Sequence, residues 1–345
     1  MTKILYAVQG TGNGHLSRAM EVVPCLEKIA EVDVLVSGIQ GDLELPFPIA
    51  YKLRGLSFIF GKSGGVNLWK TLVKANLRKL AKSINLLPVE KYDLVINDFE
   101  PVSAWACYLK NKPCIALSHQ AAVLSPGMPM PEHTDMIGKL VLNNYAPASA
   151  RYGFHFQSYQ DNIFTPVIRK KIRELEIRDR GYYTVYLPSY DDERLISRLS
   201  VFKDVEWEVF SKHNRKPANI KNVRIRPIDG NKFIESMAGA SGVLCGAGFE
   251  TPAEALFMKK KLLVIPMKNQ YEQHLNAAAL KAMGVPVIKS LKPKHELLIS
   301  GWLESKGIVP VDYKDNTQSI INRVVERHLA ADPGDWSIDN QFKNA

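Results

Sequence analysis

Gly242-Val243-Leu244-Cys245-Gly246-Ala247-Gly248-Phe249-Glu250-Thr251-Pro252-Ala253-Glu254 is the stretch whose reading decides the fold. Its apolar opening reads as a short buried strand, its small residues as a turn, and the remainder as the start of a helix. A second apolar strand, Lys261-Leu262-Leu263-Val264-Ile265, stops at Pro266, and Asn269-Gln270-Tyr271-Glu272-Gln273-His274 opens the next helix. Two strand-to-helix crossings therefore lie side by side, as in a parallel sheet covered by helices.

The turn carries chemistry. Small residues at Gly246, Ala247 and Gly248 let a ligand approach the backbone, and the helix behind them offers unpaired N–H groups and a positive dipole end to an anion such as a diphosphate. Thr251 adds a hydroxyl to the same anion. Glu254, one turn into the helix, is an acceptor-only group suited to a pair of ribose hydroxyls, while Glu272 and Gln273 suit a second polyol. Diphosphate, ribose and hexose together describe a sugar nucleotide.

The run Gly246 to Glu254, then Ile265-Pro266, then Glu272-Gln273 shortly before Asn276-Ala277, resembles the donor-binding signature of GT-B glycosyltransferases. It is most similar to the nucleoside-diphosphate-sugar enzymes that include macrolide and plant-type glucosyltransferases and the peptidoglycan N-acetylglucosaminyltransferase. The plant-type pattern has a histidine where Gly246 stands, so one phosphate contact of that pattern is missing here. The resemblance implies an α/β protein of two facing, doubly wound Rossmann-like domains with a cleft between them. It places the diphosphate on Thr251 and the amides of Gly248, Phe249 and Glu250, the ribose on Glu254, and the sugar hydroxyls on Glu272 and Gln273. Ser189, after a strand, would reach phosphate, and the backbone at Ile228 would read the base. A helix near the C-terminus would cross back onto the first domain.

Along the chain, alternating strands and helices form two runs joined by the charged segment Thr165-Pro166-Val167-Ile168-Arg169-Lys170-Lys171. We expect an acceptor-side domain at 1-165, a nucleotide-sugar-binding domain at 166-330 and a tail at 331-345. Arg151 to Phe156 reads as the last strand of the first run. Gly10-Thr11-Gly12-Asn13-Gly14-His15 follows the strand Ile4 to Val8, but it lacks the third glycine of a dinucleotide fingerprint, and no acid ends the next strand. A nicotinamide enzyme is disfavoured. Gly55 to Ser63 has five residues between its glycines where a P-loop has four, and reads as a plain loop.

Transfer of a sugar to a hydroxyl needs a base, and a histidine titrates near neutrality. His15 sits at the carboxyl end of the first strand, where an open α/β sheet presents reactive groups, and Asp98 ends another strand and could orient the imidazole. His119, at a third strand end, is the rival base. Alternatively His15 caps or braces its helix, and Asp98 is an N-cap. In the resembling families a histidine in this glycine loop is the base of many members, and an aspartate pairs with it in some. The chemistry implied is single displacement with inversion, without a metal, since no Asp-x-Asp motif is present. No cofactor beyond the nucleotide-sugar co-substrate is implied.

Composition bounds the partners. At 345 residues and 46% apolar the chain can bury a full core, and a net charge of +10 favours anionic partners. No helix-turn-helix, zinc-finger or RRM signature is present, which argues against nucleic acid. The cysteines at 25, 107, 114 and 245 form no C-x-x-C pair and read as reduced thiols. With no signal peptide or membrane span, the expected location is cytoplasmic. Val66 to Leu87 reads as a basic amphipathic helix, packed on its own domain or touching an anionic membrane from the inner face. The expected acceptor is a glycolipid or a cell-surface polysaccharide precursor. Two other readings remain open on the same fold: a sugar-nucleotide 2-epimerase or hydrolase, and a non-catalytic sugar-nucleotide-binding protein.

Overall fold

The structure is a computed structural model that describes residues 1–38, 44–55, 77–123 and 125–330. Most of the Gly55 to Ser63 loop, the first half of the expected basic amphipathic helix, and the tail with Trp336 and Phe342 lie outside the described residues.

β1 (Lys3–Gln9) is an apolar run whose residues from Ile4 to Val8 are all inaccessible to water. A strand buried on both faces belongs at the centre of a parallel sheet, and β1 lies there. It pairs in parallel with β2 (Glu31–Ser37) on one side and with β4 (Leu94–Asp98) on the other. The full sheet runs β3-β2-β1-β4-β5-β6-β7, with β3 Tyr51–Leu53, β5 Cys114–Ser118, β6 Ala150–Phe154 and β7 Ile163–Phe164. The order reverses between β1 and β4, and the crevice at such a reversal is where open α/β sheets bind ligand.

The second sheet runs β10-β11-β9-β8-β12-β13. Its strands are β8 Tyr182–Tyr186, β9 Glu206–Ser211, β10 Ala218–Ile220, β11 Val223–Pro227, β12 Gly242–Gly246 and β13 Lys261–Ile265. All pairs are parallel except the edge strand β10. Here the reversal lies between β8 and β12, so the Gly246 turn stands at a second crevice. The two sheets together make a pair of Rossmann-like units.

Helices cover both sheets. The helix Asn13–Glu27 buries Leu16, Ala19, Val22, Val23 and Leu26, a stripe at helical spacing. The helix Pro101–Leu109 opens with proline at its first position, and Glu100 accepts from the N–H groups of Val102 and Ser103. The helix Thr317–Leu329 follows the second sheet in sequence but packs against Asn13–Glu27. Gln318 donates to the carbonyl of Cys25 at 3.1 Å, and His328 Nε2 lies 2.9 Å from the Tyr152 hydroxyl. The two halves also share core: one apolar cluster joins Val8 and Leu16 to Ala247, Phe249 and Val264.

Several local expectations change. The strand expected through Phe156 ends at Phe154, and a loop, in which Ser158 Oγ donates to the Ile163 carbonyl, leads to β7, which pairs with β6 in parallel. β3 and β10 are edge strands of three residues, too short to show a period in sequence. The helix Met136–Asn144, capped by Asp135 through Gly138 N at 3.0 Å, follows a Pro-rich loop and was not legible. Leu77–Leu86 is the described part of the basic amphipathic helix. All four cysteines are free. No helix among the described residues is long and apolar enough to cross a membrane.

Candidate active site

At the first crevice, β1 leads into Gly10, where a Cβ would meet Val36 Cγ1 at 2.8 Å, and then Gly12, whose φ is +94°. A side chain would strain both positions. The turn aims the first helical residues at the end of β4. Opposite it, Phe99 adopts φ +56°, a left-handed backbone held by Asn97, whose amide donates to the Glu100 carbonyl at 2.7 Å and accepts from Glu100 N at 3.0 Å. Such a conformation persists only where the surroundings enforce it.

Asp98, wholly buried, is the focus of this crevice. His15 Nδ1 lies 2.8 Å from its Oδ1; Arg18 donates to Oδ1 at 2.7 Å and to Oδ2 at 2.8 Å, and the Tyr6 hydroxyl to Oδ2 at 3.3 Å. Burial by itself would raise this carboxyl, but Arg18 and His15 overcome it and hold the group down to about 2. The ionised carboxylate at 2.8 Å favours the tautomer with the proton on Nδ1 and a lone pair on Nε2, against the Arg18 guanidinium nitrogen 3.0 Å from the same Nδ1. Nε2 is 3.4 Å from Gln120 Nε2, and the His15 side chain remains 14% exposed.

At the second crevice, the helix Glu250–Phe257 begins after Phe249 without any side-chain cap, and a Cβ on Gly248 would meet open space. Thr251 is the second residue of this helix. Gln273, whose Oε1 accepts from Met267 N at 2.8 Å, lies beside Gly246. Glu254 is buried, and its two oxygens accept from Arg169 at 2.7 and 2.9 Å. Burial raises its carboxyl and Arg169 opposes the rise. Arg169 comes from the segment expected to be a plain linker. Ser189 follows β8, the neighbour of β12, and Ile228 follows β11, two strands further out and exposed.

Side-chain hydrogen bonds join the crevices. Arg18 donates to Glu250 Oε1 at 2.5 Å; Gln120 donates to Glu272 Oε2 at 3.1 Å; His119 Nε2 lies 2.8 Å from Asn276 Oδ1. Burial pushes the Glu250 carboxyl up to about 7 against the pull of Arg18, with Glu254 and Asp98 adding to the rise. His119 is buried, its Nδ1 is 2.9 Å from the Phe154 carbonyl, and its ring stacks on Phe249 at 3.9 Å. Burial lowers its pKa. Glu272 Oε1 stands 3.9 Å from the same ring.

The structure thus brings His15, Asp98 and Glu250 together through Arg18, and Phe249, Glu272 and Asn276 into a second group around His119. Glu254 stands apart with Arg169. Arg18, expected with Ser17 in the first helical turn and in touch with the acceptor or the donor phosphate, is bonded to Asp98 and Glu250. Gln120 and Arg169 carried no local signal, because each partner is more than 80 residues away.

A family model described as glycosyl transferase family 1 matches residues 2–298, and the chain belongs to that family. Among curated proteins no sequence matches it significantly. Three solved structures show the same fold at low identity. MurG of Acinetobacter baumannii has a TM-score of 0.57 at 12% identity, covering 94% of this chain and 100% of that one. UGT89C1 of Arabidopsis thaliana, complexed with UDP, reaches 0.58 at 14% identity over 96% and 95%. The spinosyn forosaminyltransferase SpnP reaches 0.57 at 13% over 97% and 96%. The protein is a GT-B glycosyltransferase by fold and family.

Proposed function

We propose that this glycosyltransferase moves a sugar from a UDP-linked donor to a hydroxyl of a glycolipid or polysaccharide precursor, with inversion and without a metal ion. The observation that carries the reading is the His15 Nδ1 to Asp98 Oδ1 contact of 2.8 Å at the strand-order reversal, facing the glycine turn of β12. The acceptor O–H gives its proton to His15 Nε2 as its oxygen attacks the anomeric carbon. The bond from that carbon to the diphosphate breaks on the opposite face, and its electron pair leaves with UDP. Asp98 stabilises the imidazolium that forms, as an acid does behind a hydrolase histidine. The uncapped N–H groups at Glu250 and Thr251, with the hydroxyl of Thr251, receive the departing diphosphate.

In this reading Gly246 and Gly248 admit the diphosphate backbone, Glu272 and Gln273 take sugar hydroxyls, and Glu254, steadied by Arg169, uses its remaining lone pairs on the ribose. Ser189 and the backbone at Ile228 complete the phosphate and base contacts. His119 braces the junction and does not act as the base. The net charge of +10 supports work in the cytoplasm against an anionic inner membrane face. The two-domain arrangement, 1-165 and 166-330, puts acceptor and donor on opposite walls of the cleft.

Thermal shift with a set of nucleotide sugars tests the donor, because a bound ligand raises stability with its affinity. Donor turnover with and without acceptor tests the reaction: UDP released only when a hydroxyl acceptor is added supports transfer, and equal release without it points to the hydrolase or epimerase reading.

A further inference from the structure

The carboxamide of Gln120 lies where the two halves meet, and half of it has no partner. The residue is 7% exposed, second in the short helix His119–Val123 that follows β5. Ser118 Oγ accepts from Ala121 N at 3.1 Å and fixes the turn that presents it. Its Nε2 donates to Glu272 Oε2 at 3.1 Å and stands 3.4 Å from His15 Nε2. Its buried Oε1 has no hydrogen-bond partner among the described residues.

The orientation of this amide follows from its neighbour. A carboxylate only accepts, so the NH2 group faces Glu272 and the carbonyl oxygen must point elsewhere. A buried acceptor without a donor is unfavourable, and native interiors hold few of them. The missing donor must meet the carbonyl end of an amide whose NH2 end is held beside an acid expected on sugar hydroxyls and the nitrogen expected to take the acceptor proton. A hydroxyl of a pyranose ring meets that requirement: it offers one O–H to Oε1, while a neighbouring hydroxyl is left for Glu272.

We propose that Gln120 is a sugar-binding residue supplied by the first half, with Oε1 accepting a hydroxyl of the transferred hexosyl unit. The inference rests on the nucleotide-sugar reading above. The sugar is then held from both walls, and discrimination among hexoses requires the halves to be together.

Calorimetric titration of the full chain with UDP, UDP-glucose and UDP-N-acetylglucosamine tests this. Gln120→Ala is expected to weaken the better UDP-sugar about 10-fold, the scale of one hydrogen bond, and to leave UDP itself within about 2-fold. Gln120→Met, which keeps the length and removes the acceptor, should do the same and covers the case in which the alanine variant does not fold. A singly deoxygenated UDP-sugar that binds wild type less well, and binds Gln120→Met no worse than the parent sugar does, identifies the hydroxyl. An equal loss of UDP and UDP-sugar would make Gln120 a strut between the halves and overturn the proposal, as would unchanged UDP-sugar affinity in both variants. Wild-type protein that binds neither UDP nor either sugar removes the donor reading and this inference with it; UDP binding with no effect of Gln120 removes the inference alone.

Discussion

Two strand ends of the same sheet each present a histidine, and their surroundings make them different groups. His15, after β1, has one nitrogen on an ionised carboxylate and the other turned to the junction of the halves. His119, after β5, has both nitrogens against oxygen atoms of the protein, and stacks its ring on Phe249. Residue type and position on a strand are alike. What differs is how closely the second nitrogen is held, at 3.4 Å from the Gln120 amide in His15, and whether an acid stands behind the ring to stabilise a proton once taken. A histidine buried with both nitrogens close against the protein's own oxygens holds structure together; one backed by an ionised acid, with only a long 3.4 Å amide contact on its second nitrogen, can move a proton.

The largest effect expected from this contrast is on turnover. His15→Ala should lower kcat by roughly 10²- to 10⁴-fold, the usual worth of a general base, and retain donor affinity in calorimetry. Near-wild-type turnover would end the contrast between the two histidines. Asp98→Ala should cost turnover too, but its larger signature is stability, because it leaves Arg18 as a buried charge with half its partners; a loss of about 3–5 kcal/mol in denaturant unfolding is expected. Its pH signature has a definite sign. The folded-state value of Asp98 is lowered to about 2, so its stabilisation is complete above the ordinary carboxylate range and fades as pH falls toward 2. Wild type should show that acid limb and Asp98→Ala should lack it.

His119→Ala sharpens the comparison from the other side. A neutral imidazole has one N–H to give, so removing the ring leaves either Asn276 or the Phe154 carbonyl without that donor, at a cost of roughly 1–3 kcal/mol in the interior. Stability should fall while kcat of the folded fraction changes only a few-fold; a collapse of kcat at unchanged stability would make His119 the base.

A smaller effect belongs to Glu250. Its carboxyl is raised from 4.5 to about 7, so the folded state holds this proton more tightly than the unfolded chain does. That contribution is complete below about pH 4.5 and is lost as pH rises through 7, on the order of 1–3 kcal/mol. Glu250→Gln does not titrate, so its stability relative to wild type should improve between pH 5 and pH 8. A pH-independent difference would show that Arg18 keeps Glu250 ionised throughout. The smallest effect is expected from Gln273→Ala, a drop in donor affinity of about 3- to 10-fold with the fold intact. Unchanged affinity for every UDP-sugar would remove Gln273 from the donor site.

Much of the architecture was legible because it follows from local pattern. Continuous apolar runs such as Ile4 to Val8 and Leu262 to Ile265 mark strands buried on both faces, and glycines after them mark the turns into helices. The pair of Rossmann-like units and the glycosyltransferase resemblance rest on those runs and on the Gly246 to Gln273 signature, all within short reach along the chain. The edge strands, the loop at Ser158 that leads to the parallel strand β7, and the helix after the Pro-rich loop were not legible, since each depends on a partner or a cap rather than on a period.

The sequence by itself determined which residues are chemically able: two histidines, a set of carboxylates, and two small-residue turns at strand ends. Only the tertiary structure decided which of them work together. Arg18 meets Glu250 across 232 positions, Arg169 meets Glu254 across 85, and Gln120 meets Glu272 across 152. Propensity and periodicity act over a turn of helix or a strand, whereas an ion pair or an unpartnered amide is set by packing of elements far apart in the chain. That is why the folded protein, and not its order of residues, separates the histidine that can accept a proton from the one that braces the junction.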